Sequence, residues 1–554
     1  MCLITSALAT SNLFAQERFT AETMWKLGRV SDVQLSPDGN SFIYGVTHYN
    51  LATNKGNRNI YKLDRNAESP RQLTDFEGSE INAIWRPDGQ KIGFLSAESG
   101  SMQLWEMGKN GEDKIQISHI DGGINGFAYS PDMSKIVYIK DVKLEKDAHD
   151  LYPDLPLSNA LIYDDLMYRH WDNWHDYAYS HIFIAPYTDG KIGEGKDIMP
   201  GEAWDSPLMP NGGMEQITFS PDGKLLAYTS KKLTGKDYAV STNSDIYLYH
   251  LENGFTENLS VSNPGYDQDP VFSPDGEKIV WRSMKTPGFE SDKDRIILCD
   301  LKAKTRIMKD LSENFDQSSS NFNWSADGKQ LYFISGTQAT FQVYRMDIET
   351  RKITQLTRGD HDIQAYALDG KDLIITKMRM DLPSEVFRYK SDGTEEQLTF
   401  TNRNILKNVE FGKTTKRWVT TTDGKKMLVW VILPPQFDPN KQYPALLYCQ
   451  GGPQSAVSQF FSYRWNFQMM AAHDYIVVAP NRRGLPTFGQ EWNDQISGDY
   501  GGQNMQDYLV AIDSVSAEPY VDANRLGAVG ASYGGYSVYW LAGNHHKRFK
   551  TFIA

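Results

Sequence analysis

The chain has 554 residues, with 57 Lys plus Arg against 70 Asp plus Glu and a formal net charge of −13. An acidic surface of that size repels phosphate backbones and argues against nucleic acid as a main partner. Apolar residues at 40%, 44 glycines and no apolar run of about 18 residues exclude a disordered chain, a collagen-like repeat and a membrane-spanning helix.

The chain opens on Met-Cys-Leu-Ile-Thr-Ser-Ala-Leu-Ala-Thr-Ser-Asn-Leu-Phe-Ala, followed by Gln16-Glu17-Arg18. A small, apolar run that breaks abruptly into charge has the form of the core and cleavage end of a secretory signal peptide, with a cut after Ala15. It lacks the positively charged leading stretch. Export to the periplasm or the medium is therefore expected. Cys2, Cys299 and Cys449 are too few and too scattered for a disulfide framework or a zinc knuckle, so buried or free thiols are expected.

From about residue 30 to 400 two short phrases alternate. The first is Ser-Pro-Asp-Gly or a close variant, ending at Gly39, Gly89, Met133, Gly223, Gly276, Gly328 and Gly370. Those ends are 50, 44, 90, 53, 52 and 42 residues apart. Proline presets φ, aspartate bonds its own backbone and glycine accepts positive φ, so each copy is a tight turn between flanking apolar strands. The second phrase is Gln-Leu-Thr or a relative: Gln72-Leu73-Thr74, Gln116-Ile117-Ser118, Asn258-Leu259-Ser260, Asp310-Leu311-Ser312, Gln355-Leu356-Thr357 and Gln397-Leu398-Thr399. About four short strands per period of 40–50 residues is the content of one β-propeller blade. Seven blades are expected, or eight if the 90-residue gap hides one. That gap holds Tyr168-Arg169-His170-Trp171-Asp172-Asn173-Trp174-His175-Asp176. Its His and Asp spacing fits no standard metal motif, and no metal or other cofactor is expected; an aromatic loop facing a neighbouring blade or the substrate fits better.

After Thr399 the phrases stop and the period changes. Two strands flank Asp423-Gly424. Apolar strands then alternate with helical stretches: 445–449, a helix near 464–473, 475–480, a helix from about Gln503 to Val515, 525–530, and a helix from Tyr533 to about His545. That alternation predicts a mainly parallel sheet covered on both faces. The boundaries expected are a signal-like segment at 1–15, a propeller at 16–402 and an α/β-hydrolase domain at 403–554.

Where the last long strand meets its helix stands Gly530-Ala531-Ser532-Tyr533-Gly534-Gly535. Glycines two before and two after a serine let a strand turn sharply into a helix and leave the hydroxyl exposed at the bend. Ser532 is thus the candidate nucleophile. The oxyanion it would create needs donors: the backbone N–H of Tyr533 at the helix N-terminus, and the Gln450 side chain or the Gly451 N–H from Gln450-Gly451-Gly452-Pro453 after an earlier strand.

These residues, with Asn481-Arg482-Arg483-Gly484, Phe488-Gly489 and Gly498-Asp499-Tyr500-Gly501, resemble the prolyl oligopeptidase family of serine peptidases over nearly the whole chain. The stretch Thr23–Val30 and the His170-Trp171-Asp172 region look most like its dipeptidyl-peptidase V and acylaminoacyl-peptidase branch. The resemblance implies Ser532 as nucleophile and a propeller that admits only short or unfolded peptides. Two departures stand out. Many relatives carry His or Tyr where this chain has Gln450, which favours a backbone donor there. The order in α/β-hydrolases is Ser, then Asp or Glu, then His, yet no Asp or Glu follows Ser532, and His545 and His546 fall at the far end of the helix that starts there. The expectation is a C-terminally truncated hydrolase domain that is inactive as it stands.

The reading that follows is an exported serine exopeptidase releasing dipeptides from peptide N-termini through an acyl-enzyme on Ser532. Recognition of a free α-amine calls for carboxylates, with Asp164, Asp165 and Asp172 in the insertion as candidates. The alternatives are an acylaminoacyl-peptidase or esterase using the same serine, and a non-catalytic propeller that binds protein partners. Oligopeptides are the expected substrates, and a homo-oligomer is compatible with the sequence.

Overall fold

The computed structural model describes residues 17–554. The signal-like segment 1–15 lies outside the described residues.

Residues 29–397 form seven successive antiparallel units, each of four strands except the third, which has five; the sixth and seventh are joined by a single parallel pair, Phe341 with Asp362. In the first, Arg29–Leu35, Ser41–Asn50, Lys55–Asp64 and Arg71–Gln72 pair in chain order. The 90-residue gap is a single period carrying an insertion. The third unit runs from Gly126–Tyr129 to Lys135–Lys143, and residues 144–177 intervene before Ala178–Thr188 resumes the sheet. The first and last units share no strand. Their seam is closed by apolar packing of Val30, Phe42, Tyr44 and Leu63 with Ile374 and Val386, and by an Arg65–Asp369 ion pair at 2.5 Å.

Both repeated phrases do identifiable work. In the first, the serine hydroxyl donates to the aspartate two residues on, as in Ser36–Asp38, Ser130–Asp132 and Ser220–Asp222, at 2.5–2.7 Å. The same serine oxygen accepts the N–H that opens the second strand. In the second, the final hydroxyl accepts a backbone N–H of the third strand. Thr74 takes that of Ile60, Ser118 that of Leu104, Ser260 that of Ile246, Ser312 that of Ile296, Thr357 that of Val343 and Thr399 that of Val386, all at 2.7–3.0 Å. The repeat is thus a set of buried backbone donors answered by side chains where the outer strand ends.

The second domain is built on six strands: β1 (Thr414–Thr420), β2 (Lys426–Ile432), β3 (Tyr443–Cys449), β4 (Ile476–Pro480), β5 (Val521–Gly530) and β6 (Thr551–Ile553), in the order β1-β2-β4-β3-β5-β6. β3, β4, β5 and β6 run parallel. Along β2, Met427, Val429 and Val431 enter one core, and Leu428, Trp430 and Ile432 the other, so both faces are covered. The helices are α1 (Phe467–Ala471), α2 (Gln490–Asp494), α3 (Gln503–Ser516) and α4 (Tyr533–Asn544).

The segment ahead of the first blade packs on this domain. Glu17–Arg18 pair in parallel with Val409–Glu410, Phe19 packs edge-on to Phe411 and Phe461, and Arg18 meets Asp474 at 3.0 Å. The propeller meets the hydrolase through connections between its second and third strands, and through links between blades. Gln338 and Ala339 N–H donate to Thr487, Asn493 donates to the Ser291 carbonyl, and the Gln490 N–H donates to Asp316. The insertion 144–177 is also a second-to-third-strand connection, so it emerges on the face that carries the hydrolase; the Ser-Pro-Asp-Gly turns lie on the opposite face.

Candidate active site

Ser532 is the hinge between β5 and α4, at φ 57° and ψ −126°. That conformation is costly for a residue with a side chain and persists only where the surroundings enforce it. They do so by close approach. A Cβ on Gly530 would stand 2.6 Å from the Gly534 carbonyl oxygen and 2.7 Å from that of Cys449; one on Gly534 would stand 2.1 Å from the latter. The glycines therefore let α4 start directly on top of β3 and β5. The Gly534 N–H donates back to Ala531 O at 2.8 Å, and that of Tyr536 to Ser532 O at 3.0 Å. The Tyr533 N–H stands in the first turn, where helix donors have no intrahelical partner. Its ring points elsewhere: the hydroxyl donates to Tyr500 O and Asn504 Oδ1, both at 2.8 Å, tying α4 to the start of α3.

The Gln450–Pro453 loop lies against the serine. A Cβ on Gly451 would fall 3.6 Å from Ser532 Cβ and 3.0 Å from Ala531 O. The structure thus brings Ser532, Tyr533 and Gly451 together. The Gln450 side chain enters differently: its Oε1 is buried and has no hydrogen-bond partner.

Beneath this loop sit two adjacent arginines with different surroundings. Arg483, 4% exposed, faces two carboxylates: it bonds Asp507 at 2.8 Å and makes a two-pronged bond to Asp423 at 2.8 Å. The bond from Arg483 holds the Asp423 carboxyl well below the usual range. Arg482, 0% exposed, makes no ion pair among the described residues. Its guanidinium donates to the carbonyls of Arg483 at 2.9 Å, Pro453 at 3.0 Å and Gln450 at 3.3 Å, and to Tyr508 Oη at 3.0 Å.

Among the described residues no hydrogen bond joins Ser532 Oγ to a histidine. His545 lies at the far end of the 12-residue α4, about 18 Å along the axis. There its Nδ1 accepts the Phe549 N–H at 3.0 Å and its ring packs on Phe549 and Phe552. Both described cysteines are buried and free, and burial pushes the Cys449 thiol upward.

The insertion encloses a cavity of 730 Å³ against the fourth blade. Asp164 and Asp165 line it together with Asp141, Glu145, Asp176 and Asp205; Asp172 does not, being at the exposed tip of the hairpin formed by Arg169–His170 and Asn173–Trp174. Burial raises the Asp205 carboxyl to about 6. Tyr163 stacks on Tyr168, Trp174 and Tyr177 at 5.5–6.1 Å and forms one wall. No hydrogen bond or ion pair joins 144–177 to the hydrolase domain among the described residues. None of their His, Cys, Asp and Glu side chains group in a set of three able to hold a metal.

An exposed serine on a strained strand-to-helix turn, with backbone donors beside it and a propeller over the sheet, defines a hydrolase that works through an acyl-enzyme. Residues 216–406 match the TolB beta propeller domain, and residues 461–554 the prolyl oligopeptidase family. The chain is 47% identical to dipeptidyl-peptidase 5 of Porphyromonas gingivalis over 97% of its length and 78% of that protein's. It is 42% identical to the enzyme of the same name from Porphyromonas endodontalis, over 97% and 77%. Among solved structures it superposes on an acylaminoacyl peptidase in complex with Z-Gly-Gly-Phe-chloromethyl ketone with a TM-score of 0.79. That match is 20% identical and covers 97% of this chain and 78% of the other, a likeness of fold. The chain belongs to the prolyl oligopeptidase family of serine peptidases.

Proposed function

We propose that this protein releases dipeptides from the N-termini of peptides through an acyl-enzyme on Ser532. The observation that carries the reading is the Ser532 elbow with Gly451 packed against it, and the 47% and 42% identities to dipeptidyl-peptidases 5 support the substrate class. Ser532 Oγ attacks the carbonyl of the second residue while a general base takes its proton. The Tyr533 N–H and the Gln450–Gly451 loop receive the oxyanion. The base returns the proton to the departing amine, and water then releases the dipeptide by the same steps in reverse.

A free α-amine is recognised by carboxylates, and the acidic cavity under the insertion, with Asp164 and Asp165 in its lining, is the place assigned to it. Asp172, at the exposed hairpin tip and outside the cavity lining, is left out of that role. We further propose export, on the composition of residues 1–15; N-terminal sequencing of secreted or periplasmic protein is expected to begin at Gln16, and a retained Met1 would refute the cleavage.

The substrate class is tested with the complete gene product on dipeptidyl, N-acyl-aminoacyl and simple ester reporters. Amide cleavage that requires a free amine and releases a dipeptide is the expected result. Preference for the acylated reporter would make the protein an acylaminoacyl-peptidase, ester cleavage alone an esterase, and no turnover a binding propeller.

A further inference from the structure

We propose that Arg482 is a positioning residue for the oxyanion site, holding the Gln450–Gly451 peptide so that its N–H is presented to the intermediate on Ser532. The inference rests on the reading of Ser532 as nucleophile.

Burying a guanidinium without a carboxylate is expensive, and it is tolerated only where strong hydrogen bonds replace water. Arg483 next to it shows the ordinary solution, two carboxylates. Arg482 instead spends its donors on three backbone carbonyls and a phenol, and two of those carbonyls, Gln450 and Pro453, bracket the loop that touches Ser532. Tyr508 adds a second grip, its hydroxyl lying 3.5 Å from the same Gln450 carbonyl.

Planarity of the peptide bond turns that grip into an aim. The Gln450 C=O and the Gly451 N–H belong to one trans peptide unit, so they point in opposite directions. With the carbonyl fixed on Arg482 and Tyr508, the N–H of Gly451, the residue packed against Ser532, is directed away from them. Donation to the carbonyl by a cation also polarises the unit and strengthens its N–H as a donor. The guanidinium lies 4.8 Å from the ring centre of Tyr533, the residue whose backbone carries the other expected donor. One buried charge therefore contacts both residues that support the donors, and among the described residues no carboxylate forms an ion pair with it. Catalysis gains most from such fixed, pre-aimed dipoles where negative charge develops.

The test uses the complete gene product with Arg482→Met, Arg482→Lys and Tyr508→Phe. Arg482→Met is expected to lower kcat on a dipeptidyl arylamide by about 10–100-fold, a fraction of the loss of a whole oxyanion donor, with KM changed less than about two-fold. Affinity for a dipeptidyl boronate, whose adduct with Ser532 carries a negative oxygen, is expected to fall in parallel. Affinity for the product dipeptide is expected to hold. Arg482→Lys keeps the charge but not the fork and recovers part of kcat. A folded Arg482→Met enzyme with unchanged kcat and boronate affinity overturns the proposal. If that variant does not fold, unchanged kcat in both Arg482→Lys and Tyr508→Phe overturns it equally. Failure of the nucleophile assignment is separate: activity would then survive Ser532→Ala.

Discussion

Gly534 and Gly535 are neighbours in sequence and differ sharply in space. A methyl group on Gly534 would be 2.1 Å from the Cys449 carbonyl oxygen, whereas on Gly535 the nearest atom would be 3.6 Å away. Gly534→Ala is expected to push α4 off the sheet, destabilising by about 1–3 kcal/mol and displacing Ser532, while Gly535→Ala is near neutral. Thermal midpoints together with active-site labelling check this; equal behaviour of the two variants would show that the elbow is not set by close approach. At this scale the elbow was legible because its signal is local: five consecutive residues carry the turn, the hydroxyl and the helix start. The role of Arg482 was not, although the Asn481–Gly484 stretch stood out. Its meaning depends on partners 26 to 32 residues away, and in sequence it is indistinguishable from Arg483 beside it.

Among elements, the second repeated phrase shows why the blades recur. Ser260 and Thr357 each answer a buried third-strand N–H, those of Ile246 and Val343. Removing the oxygen leaves that donor unpaired, so Ser260→Ala and Thr357→Val are each expected to cost about 1–3 kcal/mol. Urea unfolding is the check, and a loss below 0.5 kcal/mol in both, roughly that of an ordinary surface substitution, would contradict the assignment. The propeller itself was readable because turn chemistry repeats. The sequence left seven or eight blades open at the 90-residue gap, since spacing alone does not separate two short periods from one long one. Pairing of Lys135–Lys143 with Ala178–Thr188 across the insertion resolves it. The cavity beneath that insertion was not legible either, because its carboxylates come from four stretches of chain that only folding gathers.

At the level of the whole molecule, a buried carboxyl helps couple the two domains. Asp362, at the start of the last blade, accepts the Ser458 hydroxyl of the hydrolase at 2.6 Å and the Phe341 N–H at 3.2 Å. Burial raises it to about 7, against about 4 in the unfolded chain. The folded state therefore holds a proton that the unfolded state releases. Its contribution is full below about pH 4 and is lost as the pH rises towards 7. Neighbouring His361, which burial lowers to about 4, works in the opposite sense, its contribution fading as the pH falls from about 6.5 to 4. Comparing wild type with Asp362→Asn isolates the carboxyl. The stability difference between them is expected to shift against the wild type between pH 4 and 7, and parallel curves would contradict it. The link was invisible in sequence, since Asp362 and Ser458 are 96 residues apart.

The chemistry assigned to the fold converges on one oxygen, and a fluorophosphonate reaches it directly. With the complete gene product, mass mapping of the labelled protein is expected to place the phosphonyl group on Ser532, with labelling and peptide cleavage lost together in Ser532→Ala. A probe that reacts elsewhere and leaves Ser532 free in the active protein would contradict the account.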